Sequence, residues 1–162
     1  MVRGIPISSA GAKFGYAVET VAGTMPKTAL LIPDIKSGPD LNPQPEMLDT
    51  SDLSCTEAKT FTPGLKDLSS ASTYKANFTT LLKKEWAKMV AASEAAEKDD
   101  KATWFFIKLK NGDTAAYTGK PSALGIPALE VNSVVEIDCY IAPTGEPKWT
   151  DETITFTEPT GE

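Results

Sequence analysis

Thr103-Trp104-Phe105-Phe106-Ile107-Lys108-Leu109-Lys110-Asn111-Gly112-Asp113-Thr114 is the stretch that decides the fold. Phe105, Ile107 and Leu109 fall on one side of an extended chain and Trp104 and Phe106 on the other. A strand over 103–110 with apolar residues on both sides needs cover on both faces. Asn111-Gly112 is the strongest hairpin signal in the chain, because the tight turns that match strand twist need positive φ. Residues 114–119 are then the return strand.

Just upstream, Phe78, Leu81, Leu82, Trp86, Met89, Val90 and Ser93 recur at three-and-four spacing and predict a helix over 80–97. Thr79 or Thr80 is its N-cap, and Lys98-Asp99-Asp100-Lys101 ends it. Trp86 and Met89, at helical spacing, read as core and not as a ligand box. Downstream, 131–141 alternates: Val131, Ser133, Val135, Ile137, Cys139 and Ile141 point one way, and Asn132, Val134, Glu136, Asp138 and Tyr140 the other. Residues 68–78 alternate too, with Ser69, Ala71, Thr73, Lys75 and Asn77 forming a small, polar face. Further strands are expected over 14–21, 28–35 and 53–61, with Thr62-Pro63-Gly64 as a turn and Thr153-Ile154-Thr155-Phe156 as an edge strand.

Between these elements, 38–52 reads as a long loop that carries Pro39, Pro43 and Pro45 and interleaves Leu41, Met47 and Leu48 with acids. Loops of that length in a compact domain are usually functional. Three large apolar residues suggest that it packs on something, such as a neighbouring chain. The fold class is therefore α+β, mainly β: an antiparallel β-sandwich or partly closed barrel with one flanking α-helix, a long loop and extended N- and C-terminal arms. One domain spans 1–143, with 1–12 as its N-terminal arm, and 144–162 is a C-terminal extension expected to order only on a partner.

Composition narrows the function. The chain has 162 residues, a net charge of −6 and no histidine. A negative chain without a basic stripe argues against wrapping phosphates; the one short basic cluster, Lys83, Lys84 and Lys88, reads as a solvated helix face. Absence of histidine removes every Ser-His-Asp and Cys-His arrangement and every His-ligated metal. Cys55 and Cys139 form no CxxC pair and read as small buried apolar residues, a bridge between them remaining open. No apolar run is long enough for a bilayer, and Met1-Val2-Arg3-Gly4-Ile5-Pro6 lacks a secretory h-region, so folding in a cytoplasm is expected.

No motif offers chemistry. Gly119-Lys120-Pro121-Ser122 lacks the glycine-rich approach of a phosphate cradle. Asp49-Thr50-Ser51-Asp52 lacks calcium-loop spacing, and Asp99-Asp100 reads as a solvated helix end. Glu136 and Asp138 share a strand face, but a chain with 22 acidic residues produces such neighbours by chance. No catalytic, metal or cofactor-binding residue is expected, and the chain reads as a non-enzyme.

Several stretches, in order, resemble the major tail tube protein of long, non-contractile-tailed bacteriophages. Phe14-Gly15-Tyr16-Ala17-Val18-Glu19-Thr20-Val21-Ala22-Gly23-Thr24-Met25-Pro26 looks like that family's first strand and turn. The segment from Ile32-Pro33-Asp34-Ile35-Lys36-Ser37 to Asp49-Thr50-Ser51-Asp52-Leu53 is similar to its long loop. Phe61-Thr62-Pro63-Gly64-Leu65-Lys66-Asp67-Leu68 looks like the next turn, and Pro121-Ser122-Ala123-Leu124-Gly125-Ile126-Pro127 to Val131-Asn132-Ser133-Val134 like the closing hairpin. The resemblance covers residues 8–143.

It implies a structural virion protein, assembled in the host cytoplasm. Six subunits would join sheets edge to edge into a ring, and rings would stack into a tube for DNA ejection. Partners would be other copies of the chain and the tail tip, tape measure and tail terminator proteins, with DNA passing unbound and no membrane involved. For this chain, Leu41, Met47 and Leu48 are the expected inter-ring contacts. Ser69, Thr73, Asn77, Asn132, Glu136 and Asp138 are the candidate lumen-facing residues, since a DNA conduit should be polar and poor in Lys and Arg, with Lys75 the exception on the first of these faces. Two other readings stand beside this one, a binding or decorating β-sandwich module and a needle-like tube protein of type VI secretion.

Overall fold

The computed structural model describes residues 4–68 and 72–160. The fold is mainly β, a curled sheet forming a half-barrel with one helix. In chain order the elements are β1 (Lys13–Val18), β2 (Thr28–Leu31), β3 (Ile35–Ser37), β4 (Pro45–Asp49), β5 (Phe61–Lys66), β6 (Ser72–Asn77), α1 (Thr80–Lys98), β7 (Thr103–Lys108), β8 (Thr114–Pro121), β9 (Glu136–Pro143), β10 (Lys148–Thr150) and β11 (Thr155–Thr157). The main sheet runs β11-β2-β1-β7-β8-β9-β6-β3, with β10 beside β8, while β4 and β5 form a hairpin of their own.

Strand β7 sits in the middle of this sheet, antiparallel to both β1 and β8. Beyond Trp104↔Thr118, β8 leaves β7 and pairs with β9, starting at Gly119↔Pro143. A Cβ at Gly119 would lie 2.8 Å from Ile141 Cγ2 and 3.0 Å from the Ala142 carbonyl oxygen. Only glycine lets the strands close together where the sheet bends.

The two-sided pattern of β7 corresponds to two cores. On one side Phe105 packs with Phe14, Tyr74, Tyr117, Cys139 and Ile141, and α1 closes this core with Leu82, Trp86 and Met89. The Trp86 indole N–H donates to the Ser122 carbonyl at 2.7 Å, so the largest core side chain is also satisfied. On the other side Phe106 packs with Ala29, Ala116 and Ile154, joined by Trp104 and Phe156.

Helix α1 begins at an N-cap: the Thr79 hydroxyl accepts from the Leu82 amide at 3.1 Å and donates to Asp34 Oδ2 at 2.6 Å. It ends where Asp100 turns to φ 55° and the Lys101 amide reaches back to the Ala96 carbonyl at 2.9 Å.

Several expectations are corrected. The C-terminal segment does not wait for a partner: β10 pairs with β8, β11 pairs parallel to β2, and Ile154 is buried under the sheet. Gly15 makes this docking possible, because a Cβ there would lie 2.8 Å from the Phe156 ring and 2.7 Å from the Leu30 carbonyl oxygen. The expected strand over 53–61 is absent; Leu53 is fully exposed, and the strand starts at Phe61.

The expected Thr62-Pro63-Gly64 turn lies inside β5, with Pro63 opposite Met47 at a register shift where no ladder N–H is needed. Its partner β4 occupies part of the expected loop. The strand expected from Val131 starts only at Glu136, since Asn132 sits in a turn at φ 62°. Both cysteines are free; Cys139 is buried as expected, but Cys55 is exposed, its thiol 3.7 Å from Asp52 Oδ1.

Candidate assembly surfaces

Strands β6 and β9 pair in full register, with Thr73 opposite Tyr140, Lys75 opposite Asp138 and Asn77 opposite Glu136. Directly opposed residues share a face. Ser72, Tyr74 and Ala76 thus point into the core with Ile137, Cys139 and Ile141, and the polar partners point outward. The pairing brings four of the candidate lumen residues, Thr73, Asn77, Glu136 and Asp138, onto one outward sheet face. Asn132 is not among them, being in the turn before β9, and Ser69 lies outside the described residues.

Lysines also belong to this face. Lys36 of β3 forms an ion pair with Glu136. Its hydrogen bond and charge, with a smaller contribution from Lys75, hold the Glu136 carboxyl below the usual carboxylate range. Lys75 stands opposite Asp138. Across β3, β6 and β9 the face is therefore charge-balanced and not purely acidic. Lys75 belongs to the polar face that alternation marks over 68–78, whereas strand order alone brings Lys36 here.

The β4–β5 hairpin is the second surface. Met47 is 52% exposed, Leu48 46%, Phe61 48% and Leu65 86%. In the antiparallel register Met47 and Pro63 share one face while Leu48 and Thr62 share the other, so apolar side chains are bare on both. An ion pair from Lys66 to Glu146, 3.3 Å, ties the hairpin base to the body. Of the three expected inter-ring residues, Met47 and Leu48 stand in this exposed position. Leu41 does not: it packs against the main core of its own chain.

A third surface lies between α1 and the 122–135 segment. Ile126, Leu129, Val131 and Val134 are 95%, 73%, 90% and 74% exposed. Beside them run two adjoining clefts. The larger, about 550 Å³, is lined by Phe78, Leu124, Ile126, Leu129 and Val135. The smaller, about 290 Å³, is lined by Trp86, Val90 and Leu124.

Two buried polar clusters escaped the sequence reading. Glu19, 5% exposed, accepts from the Trp104 indole at 2.8 Å, the Gly23 amide at 2.9 Å and the Ala102 amide at 3.2 Å. Burial pushes its carboxyl up, but these three donors outweigh burial and hold it below the usual range. Tyr74 and Tyr117 join hydroxyls at 2.6 Å, and Ser72 links them to the Ile141 carbonyl. Burial raises both phenols, Tyr117 to about 12, so the pair stays protonated at neutral pH. Nothing in local sequence marks either cluster, because each joins residues distant along the chain.

The described residues hold no group of three His, Cys, Asp or Glu side chains placed for a metal, and no helix long and apolar enough to cross a membrane. A further cleft of about 550 Å³ opens between residues 9–14 and β3, over Phe14, Tyr74 and Ile107. The carboxylate in its lining, Asp34, is already bonded to Thr79. The sequence matches no protein-family model and no curated protein.

Proposed function

We propose that this chain is a structural virion subunit that self-assembles into stacked rings, six copies to a ring, forming a phage tail tube. The observation that carries the reading is the β4–β5 hairpin, with Met47, Leu48, Phe61 and Leu65 exposed. A lone two-stranded hairpin is marginal in water. Apolar residues on both of its faces favour burial against a neighbouring copy. The β6–β9 face supports a passive conduit. Lys36 is engaged by Glu136, and with Asp138 opposite Lys75 the face carries no net positive charge to hold phosphates, so DNA slides past without being bound. The tail tip, tape measure and terminator proteins would then start, gauge and stop tube growth.

Negative-stain electron microscopy of the purified chain at high concentration tests the reading. Hollow tubes or rings of uniform diameter are expected. A monodisperse monomer at every concentration would favour a binding module instead. Leu48→Asp with Leu65→Asp should abolish tubes while the circular dichroism of the fold stays unchanged.

A further inference from the structure

The hairpin and the α1 groove are unlike, both apolar and separate on the same molecule. A contact between unlike surfaces repeats head to tail and builds rings or filaments, whereas a self-complementary patch stops at a dimer. Resting on the self-assembly reading, we infer that the β4–β5 hairpin of one copy seats in the groove between α1 and the 122–135 segment of the next. Shape favours this occupant: the hairpin projects side chains from a narrow two-stranded ribbon, and the groove offers adjoining clefts of about 290 and 550 Å³.

Charge favours it too. Lys83 lines both clefts and is the one charged residue lining the larger. Lys83 forms no ion pair among the described residues. The hairpin and its tip carry Glu46, Asp49, Asp52 and Glu57, also without ion-pair partners there, against Lys59 and a Lys66 already taken by Glu146. Glu94 lines only the smaller cleft. An acidic, apolar hairpin entering an apolar groove whose larger cleft has Lys83 as its one charged lining residue has the right sign to guide register and association rate.

Two full-length variants test the pairing. Leu48→Asp with Leu65→Asp blocks the hairpin, and Ile126→Asp with Leu129→Asp blocks the groove. All four side chains are exposed, so folding should hold, as circular dichroism and tryptophan fluorescence will check. In sedimentation, each variant alone should stop at one fixed mass, its association weakened at least about a hundredfold. Mixed in equal amounts, they should double that mass and grow no further, because one intact hairpin meets one intact groove.

If the wild type assembles but either variant alone assembles equally well, or the mixture never combines, the docking is wrong and the self-assembly reading survives. If the wild type itself stays monomeric and the mixture forms no complex, both fall together.

Discussion

The sheet body and the β4–β5 hairpin are both built of paired strands of one chain, yet they handle their apolar residues in opposite ways. In the body, β7 buries Phe105 and Phe106 completely on its two faces, one under α1 and one under the C-terminal segment. In the hairpin, Met47, Leu48, Phe61 and Leu65 find no such cover. The body is thus built to be stable by itself, and the hairpin to be completed by something else. Substitutions should separate the two by what they damage: stability in the body, association in the hairpin.

The largest effect is expected at Trp86. Trp86→Ala empties the centre of the main core and orphans the Ser122 carbonyl, and should cost about 4 kcal/mol in urea unfolding. Gly15→Ala comes next. Its Cβ would press on the Leu30 carbonyl oxygen and the Phe156 ring, with a cost of about 2–3 kcal/mol. Faster hydrogen exchange over 154–157 in that variant would locate the damage in the docked C-terminal segment; unchanged exchange there would detach it from the body.

Glu19 should follow, with a sign that pH can check. Its pKa is lowered in the folded state, so its contribution is present above the ordinary carboxylate value and lost as pH falls through the lower folded one. Glu19→Gln turns an NH₂ group toward buried donors and should cost about 2 kcal/mol at neutral pH. It should also flatten that acid-side loss in unfolding midpoints measured across pH. The smallest stability effect belongs to the hairpin: Leu48→Asp with Leu65→Asp should change the unfolding free energy in urea by no more than about 0.5 kcal/mol while abolishing assembly. A large loss of stability there would erase the contrast between the two regions.

The legible parts of this fold are those in which one short window contains its own reason. The α1 stripe, the Thr79 cap and the alternation of β6 and β9 are all local, and the structure bears them out. The two-sided β7 announced a second covering layer but not its source, since Ile154 and Phe156 come from a proline- and glycine-bearing tail whose edge-strand pattern does not say which sheet receives it. The hairpin was hidden for a related reason. Pro45 and Pro63 read as breakers, but each lies at a register shift or its partner position in the ladder. Among the assembly surfaces, strand alternation put Thr73 and Asn77 on one side of their strand and Glu136 and Asp138 on one side of theirs, but only the pairing of β6 with β9 joins the two sets. Alternation did not foretell Lys36, which reaches that face through the non-local pairing of β3 with β6. Leu41 was misplaced because an apolar residue in a loop looks alike whether its own core or a neighbour receives it.

Hydrogen exchange of the wild-type chain, followed from dilute to concentrated solution, tests the central contrast most directly. The account predicts slow exchange in β1, β7 and β8 at every concentration. In β4 and β5 it predicts fast exchange when dilute, with protection appearing as copies associate. Hairpin amides that are equally protected in the dilute monomer, or that stay unprotected at the highest concentration, would contradict it.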